Sequence, residues 1–223
     1  MTEGTEALHR PLALPSTQSR NWNRLLSSIR ARKLRVVYSP LYRIDLGTTP
    51  VDVLRAERIL AFLLGYGLLS PKRLMRPEVA SLWDLRLAHG RGYLESLRRP
   101  ESLNEIIGVE AWPDLHRQAL VAQRAAVGGT VLATTHALET TGTVFNLGGG
   151  FHHAGRLQGR GFCIFNDVAV AIGRARRDGF TGRVLVIDLD LHDGNGTRKI
   201  FGEDSSVFTF SVHNQTWDLT PAE

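Results

Sequence analysis

The 223-residue sequence has a single cysteine, Cys163, so an intramolecular disulfide is excluded. A chain without disulfides is typical of a reducing compartment, and we expect a cytoplasmic protein. No apolar run reaches the roughly 18 residues that a membrane-spanning helix needs, and the longest run, ILAFLLGYGLL, covers only 59–69. The sequence therefore predicts no membrane span, and it contains no internal repeat or low-complexity segment.

Acidic residues are absent from 7–44, a segment that holds eight arginines or lysines. Because the net charge of the whole chain is only +5, the remaining residues are net acidic. Nucleic-acid binding needs a basic face with interleaved aromatic side chains, so we expect no direct nucleic-acid partner. Residues 1–34 are predicted to be a poorly ordered basic tail, and the alternative for this arginine- and serine-rich leader is a mitochondrial transit peptide.

The second half of the sequence alternates short apolar runs with helical stretches. Strands are predicted at TVFNL, RVLVIDLD and SVFTFSV. Helices are predicted near 166–177 and 196–201. This alternation is typical of βαβ units, and it predicts one α/β domain with a three-layer, doubly wound parallel sheet. In such sheets the functional sites lie beyond the carboxyl ends of the strands.

The first half is predicted to contribute one buried strand and several helices. RVVYS at 35–39 predicts the strand, and Thr49 before Pro50 predicts a capped helix over about 50–64. The alanine-rich segment 113–139 predicts one long helix or two, with Gly128 and Gly129 marking either a break or a close-packing point. The residues just before this segment are interpreted as a connection containing Pro and Glu.

Two polar motifs follow the predicted strands: NLGGGFHHAGRLQGRGFCIFND from Asn146 and IDLDLHDGNGT from Ile187. Side chains alternate along a strand, so Asp188, Asp190 and His192 are predicted to lie on one side. Asp190 and His192 are the candidate metal ligands, because carboxylate and imidazole groups suit zinc or ferrous iron.

His152 and His153 follow a glycine triplet, which allows the backbone to approach a ligand closely. Two adjacent imidazoles beside a metal can transfer protons near neutral pH, so both are candidates for the general base and acid. A calcium loop of the EF-hand type is excluded, since counting from Asp188 places Asp193 at the sixth position and Lys199 at the twelfth.

Taken together, GGGFHHA, GFCIFND and DLDLHDGNG resemble the zinc-dependent histone deacetylase family, and the likeness extends over about 36–218. VVYSPLYRI, the Gly-Gly-Thr at 128–130 and the DGNG sequence are most similar to the class IV branch. The resemblance implies an arginase/deacetylase-like fold and a zinc- or iron-dependent hydrolase that acts on an acyl-lysine peptide or a small acylated amine. Residues 35–223 would form the N-terminal portion of such a domain, and the oligomeric state is not predicted.

The same resemblance implies roles for the residues around the metal. Asp188 would orient His152, and Asn195 would pair with His153 where many family members have an aspartate. An amide stabilises an imidazolium less than a carboxylate does, so the pKa of His153 should be less raised. The family also implies a potassium site, for which the matching residues are Asp188, Asp190, His192, Ser211 and Val212, although Ser211 also fits an ordinary strand hydroxyl.

An acyl channel is implied as well, lined by Gly161, Phe162 and Phe151, with core packing as the alternative for both phenylalanines. Cys163 is predicted to be a buried neutral thiol rather than a nucleophile. Arg91 stands where the family usually has an acid that holds the substrate backbone. The class IV branch tolerates arginine at this place, so the departure favours that branch and weakens the case for a contact with the substrate backbone. An exposed arginine is a sufficient interpretation.

Two family features have no counterpart after His192: an aspartate as third metal ligand, and an oxyanion-stabilising tyrosine in a Gly-Gly-Tyr-type segment. The sequence therefore predicts a C-terminally truncated member with little activity of its own. One alternative is a truncated binding or regulatory module. The other is an arginase-type ureohydrolase with two manganese ions, which DLHD at 190–193 resembles imperfectly.

Overall fold

The computed structural model describes residues 34–45, 52–108, 110 and 113–214. The strands are β1 (Arg35–Val37), β2 (Leu74–Met75), β3 (Val144–Asn146), β4 (Val184–Asp188) and β5 (Val207–Ser211). The helices are α1 (Arg55–Gly65), α2 (Leu82–Leu85), α3 (Arg91–Ser96), α4 (Pro100–Ile107), α5 (Pro113–Thr140), α6 (Asp167–Arg177) and α7 (Asn195–Phe201). The predicted tail, apart from its last residue, and the predicted Thr49–Pro50 helix start lie outside the described residues.

Every strand pair in the described residues is parallel, which confirms the predicted α/β class. β1 lies between β2 and β3, and β4 pairs with β5 from Val184 opposite Val207 to Asp188 opposite Ser211. The described strands form these two separate sheets rather than the single sheet that the sequence predicts. β3 and β4 nevertheless end at the two polar motifs, so the motifs lie at strand ends as expected.

The long alanine-rich segment forms one continuous helix, α5, which packs against α6, β1 and β3. Its two glycines mark a close-packing point and not a break. A Cβ atom at Gly128 would collide with the backbone carbonyl of Glu78, and one at Gly129 would collide with the Tyr42 hydroxyl. The alanines and glycines therefore let α5 lie close to the elements that surround it.

The interpretation of the residues before α5 as a plain connection was wrong, because they contain α4. Pro100 occupies the first turn, and Gly108 ends the helix in a left-handed conformation with φ 68°. Leu103, Ile106 and Ile107 are buried together on one face. This apolar face joins the main core, and the short length of the segment obscured its helical spacing in the sequence.

Helices α6 and α7 lie where the sequence predicts them. The Asn166 side chain caps α6 by accepting a hydrogen bond from the Ala169 amide. The cap fixes the point at which the chain leaves the first polar motif. No helix within the described ranges is long and apolar enough to cross a membrane.

Candidate active site

The paired histidines, His152 and His153, are buried in the loop that follows β3. Asp167, the first residue of α6, holds the chain just before them. Its carboxylate accepts hydrogen bonds from the Gly150 amide at 3.0 and 3.1 Å and from the Phe151 amide at 2.7 Å. A buried carboxylate satisfied in this way anchors the loop to the start of a rigid helix.

A second set of contacts holds the chain just after the histidines. The Asn166 amide group donates to the Ala154 carbonyl at 3.1 Å and to the Thr197 hydroxyl at 2.9 Å. The His89 imidazole donates from Nδ1 to the Gly155 carbonyl at 2.9 Å and accepts at Nε2 from the Asn166 backbone amide at 3.0 Å. Burial lowers the pKa of His89 to about 4, which keeps this bridging imidazole neutral.

These supporting residues were not predicted from the sequence. Asp167 and Asn166 are polar residues that end the apolar run GFCIF, and Thr197 follows the DGNG segment. The signal available in the sequence was this pair of polar residues directly after a buried apolar run. Polar side chains in such a place are buried only when they form hydrogen bonds, so the pair indicates a structural role. His89 offered no signal of this kind, because its partners lie 66 and 77 residues further along the chain.

The second motif brings its side chains to the paired histidines from the end of β4. Asp188 Oδ2 accepts a hydrogen bond from His152 Nδ1 at 2.6 Å. Asp190 Oδ1 lies 3.7 Å from His152 Nε2 and 3.0 Å from His192 Nδ1. His152, Asp190 and His192 therefore meet in one place, as their positions at neighbouring strand ends predict.

His153 completes this group of side chains. Its Nδ1 atom donates to Asn195 Oδ1 at 3.0 Å, and its ring lies 4.1 Å from the His152 ring and 5.7 Å from the His192 ring, measured between centroids. We call His152, His153, Asp188, Asp190 and His192 the histidine–aspartate cluster. Each of the paired histidines thus has its own orienting partner, a carboxylate for His152 and an amide for His153.

The two partners leave the paired imidazoles with opposite pKa shifts. Burial alone would lower the pKa of His152, but the hydrogen bond and charge of Asp188, with the charge of Asp190, raise it above its ordinary value. Burial lowers the pKa of His153, the neighbouring imidazoles lower it further, and the Asn195 hydrogen bond only partly opposes them. The direction agrees with the expectation that an amide partner leaves the pKa of His153 less raised.

Asp190 and His192 have the donor atoms that a zinc or ferrous ion prefers. Their side chains are 54% and 43% exposed, and in this structure Asp190 Oδ1 and His192 Nδ1 are hydrogen-bonded to each other at 3.0 Å. The described part of the chain contains no group of three or more His, Cys, Asp or Glu side chains that could hold a metal ion. The two donors therefore fit such a metal in kind, but a catalytic zinc usually has three protein ligands.

Of the residues predicted for a potassium site, three belong to the cluster, and Ser211 and Val212 lie beside it, where β4 and β5 end. The Val212 amide donates to the Asp188 carbonyl at 2.9 Å, and the Ser211 hydroxyl lies 2.8 Å from His213 Nδ1. This arrangement places Ser211 and Val212 next to Asp188. The potassium site itself stays a prediction.

The segment predicted to line the acyl channel has an unusual backbone. Gly161 and Phe162 both have left-handed conformations, with φ of 56° and 65°. The Phe162 amide donates to the Ile106 carbonyl at 3.0 Å, and its half-buried ring packs against the main core. Channel lining by Gly161, Phe162 and Phe151 stays a prediction.

Cys163 and Arg91 lie in opposite environments. Cys163 is buried, and burial raises the pKa of its thiol to about 12, which confirms the neutral structural thiol. Arg91 is exposed and forms an ion pair with Glu95 at 2.6 Å. The exposed-arginine interpretation is therefore sufficient for this position.

The histone deacetylase domain family matches residues 49–222. Histone deacetylase 2 of Arabidopsis thaliana is 34% identical over 223 residues, which cover 96% of this chain and 56% of that protein. The acetoin utilization protein AcuC of Staphylococcus aureus strain MSSA476 is 32% identical over 181 residues, covering 77% of this chain and 46% of that protein. The chain belongs to the histone deacetylase family, and it spans about half the length of the curated relatives it matches.

Solved structures agree with this assignment. An HDAC homolog from Aquifex aeolicus superposes with a TM-score of 0.70 at 26% identity, covering 82% of this chain and 52% of that chain. An HDAC homolog complexed with SAHA superposes with a TM-score of 0.69 at 27% identity over the same shares. The arginase/deacetylase fold predicted from the motifs is confirmed, and the class IV branch stays a prediction.

Proposed function

We propose that this protein is a metal-dependent amidohydrolase that removes acyl groups from an acyl-lysine peptide or a small acylated amine. The observation that carries the proposal is the meeting of His152, Asp190 and His192, with His152 bound to Asp188 at 2.6 Å. Membership of the histone deacetylase family supports the reaction class. The site combines metal donors with oriented imidazoles, a combination that suits hydrolysis of an unactivated amide.

Asp190 and His192 would hold a zinc or ferrous ion, which when bound polarises the scissile carbonyl. His152 and His153 would then handle the protons. As the new C–O bond forms, one imidazole takes a proton from the attacking water. As the C–N bond breaks, a protonated imidazole gives a proton to the leaving amine. Asp188 and Asn195 keep the two rings oriented for these transfers by holding their Nδ1 atoms.

Two further parts of the proposal concern the surroundings of the reacting amide. Gly161, Phe162 and Phe151 would line the channel for the acyl-bearing side chain, and the end of β4 and β5 would bind a structural potassium ion. The hydrogen bond from the Phe162 amide to the Ile106 carbonyl, with the packing of the Phe162 ring against the main core, supports a fixed wall in place of a mobile loop. The proximity of Ser211 and Val212 to Asp188 supports the ion site.

The reaction class is tested by measuring metal content and activity together. Both are measured on one preparation of the product of the complete reading frame. We expect one zinc or iron per chain and hydrolysis of an acetyl-lysine peptide or an acetylated diamine that a chelator abolishes. Two manganese ions with urea-releasing activity would instead support the arginase alternative. The buried Asp193 disfavours that alternative, because its carboxylate is paired with Arg198 at 2.5 and 2.8 Å.

For residues 1–223 on their own, we propose weak zinc binding and turnover near background. The support is the ligand count, since the described residues bring two metal donors together where a catalytic zinc usually has three. Robust, chelator-sensitive deacetylation by residues 1–223 would refute this part of the proposal. If the complete reading frame is also inactive and binds no metal, the binding or regulatory module becomes the better interpretation.

A further inference from the structure

A groove that is separate from the histidine–aspartate cluster runs along one side of α5. Helices α2, α3 and α5 enclose a cavity of about 540 Å³, and none of the cluster residues lines it. A second cavity, of about 300 Å³, lies between α5 and the segment from α3 to α4. The two cavities share Leu97, Arg98, Leu120 and Arg124, so they form one continuous depression that we call the α5 groove.

The floor and mouth of the α5 groove are apolar. The buried floor is formed by Leu85, Leu97 and Phe165, which all belong to the main core. At the mouth, Leu82 and Trp83 are exposed, and Trp83 has 69% of its surface accessible. Clustered exposed apolar side chains of this size are typical of an interaction surface.

The rim of the groove is strongly basic. Arg117 pairs with Asp114 at 2.9 Å, Arg91 pairs with Glu95 at 2.6 Å, and Arg124 donates to the Ala80 carbonyl at 2.8 Å. Arg86 and Arg98 also line the groove. Neither lies within ion-pair distance of a carboxylate in the part of the chain that the structure describes, but both arginines, like Arg91, help to lower the pKa of the single carboxylate on this rim, Glu95. Arg86 instead lies over the Trp83 ring, at 5.2 Å from its centroid.

We infer that the α5 groove is a docking site for an acidic, amphipathic segment of a partner protein. The apolar floor would receive aliphatic or aromatic side chains of this segment. Arg86 and Arg98 on the rim would pair with its carboxylates. Charge complementarity decides the occupant. The basic segment 7–44 of this chain has the same sign as the rim, and nucleic acid lacks aliphatic side chains to fill the floor.

The inference is independent of the proposed deacylase activity, and binding alone tests it. The protein is the product of the complete reading frame, and the probe is a labelled helical peptide with leucine along one face and glutamate along the other. Matched peptides replace glutamate by lysine, or leucine by serine. We expect saturable binding of the first peptide, weakened by salt, and at least tenfold weaker binding of both matched peptides.

Three variants locate the binding. Arg98→Glu reverses one rim charge, and Trp83→Ala removes an exposed apolar contact. Arg183→Glu is the matched control, because this exposed arginine lines neither cavity. Each variant is first checked for unchanged thermal unfolding, which excludes misfolding as the cause of lost binding.

We expect Arg98→Glu and Trp83→Ala each to weaken binding of the glutamate peptide at least fivefold, with the control unchanged. Equal binding of the lysine peptide, or equal effects of Arg98→Glu and Arg183→Glu, would overturn the inference. Binding of a fatty carboxylate such as dodecanoate, without binding of the peptide, would also overturn it, because the groove would then take a small amphiphilic anion.

Discussion

The helical region around α5 and the β4–β5 sheet differ in how completely they bury their apolar side chains. Leu85, Leu103 and Phe165 in the helical region are almost fully buried. In the described residues, one face of the β4–β5 sheet exposes a row of large apolar side chains: Leu185, Ile187, Phe208 and Phe210. Parallel strands usually have both faces covered, so the two regions are not equally stabilised.

The histidine–aspartate cluster takes residues from both regions, and the difference therefore bears on its chemistry. His152 and His153 belong to the well-buried helical region around α5. There, hydrogen bonds from Asp167 and Asn166 hold the loop of the two histidines on both sides. Asp190 and His192 follow the open sheet, and both side chains are partly exposed. We infer that the imidazoles proposed for proton transfer are fixed in advance, whereas the proposed metal ligands, Asp190 and His192, are held less firmly because they follow a sheet with one exposed apolar face.

The largest expected effect compares one phenylalanine from each region in the 223-residue chain. Phe165→Ala should lower the free energy of unfolding by about 3–5 kcal/mol, because it opens a cavity in the closed core. Phe208→Ala should lower it by less than about 1 kcal/mol, since the Phe208 ring is already 66% exposed. Urea unfolding followed by circular dichroism measures both. Equal losses would show that the sheet is packed as tightly as the helices.

The second prediction concerns the buried imidazole of His89. Its pKa falls from an ordinary value of 6.5 to about 4 in the folded chain, so protonation favours the unfolded state. The stability that neutral His89 contributes is present above pH 6.5 and is lost as the pH falls towards 4. For a shift of this size the loss is about 3 kcal/mol.

His89→Gln removes this titration and keeps a donor and an acceptor at the position. The variant should be less stable than the wild type at pH 7.5, and the difference between the two should shrink as the pH falls from 6.5 to 4. Equilibrium unfolding at several pH values gives both curves. If the difference is constant over that range, His89 does not contribute in the way its contacts indicate.

A smaller effect is expected from the close approach of α5 to the chain at Glu78. Gly128→Ala would normally favour a helix, but its Cβ would collide with the Glu78 backbone carbonyl, so we expect a loss of about 1–3 kcal/mol. Gly92→Ala is the matched control, because its Cβ in α3 would meet nothing within 4 Å. The control should be neutral or gain up to about 1 kcal/mol. Stabilisation by both alanines would disprove the tight contact at Gly128.

Sequence patterns predicted those parts of the structure that depend on local spacing and strand ends. Helices α6 and α7 were expected from the alternation of short apolar runs with helical stretches. The convergence of His152, Asp190 and His192 was expected from their positions after the ends of β3 and β4, and it holds although the described strands β3 and β4 lie in separate sheets. β2 has only two residues, too few for a periodic signal, and α4 was too short to be recognised. The role of His89 depends on contacts with residues 66 and 77 positions further along the chain, which no local pattern encodes.

The central claim is that His152 transfers protons and that Asp190 and His192 bind the metal. It is tested most directly by measuring turnover and metal content together in three variants. The protein is the product of the complete reading frame, and the substrate is an acetyl-lysine peptide. His152→Ala should lower kcat at least about 100-fold and keep its metal, because the proposal assigns proton transfer, and not ion binding, to His152. Asp190→Asn and His192→Ala should lose both metal and turnover. Full turnover in His152→Ala, or metal lost with its activity, would contradict the account.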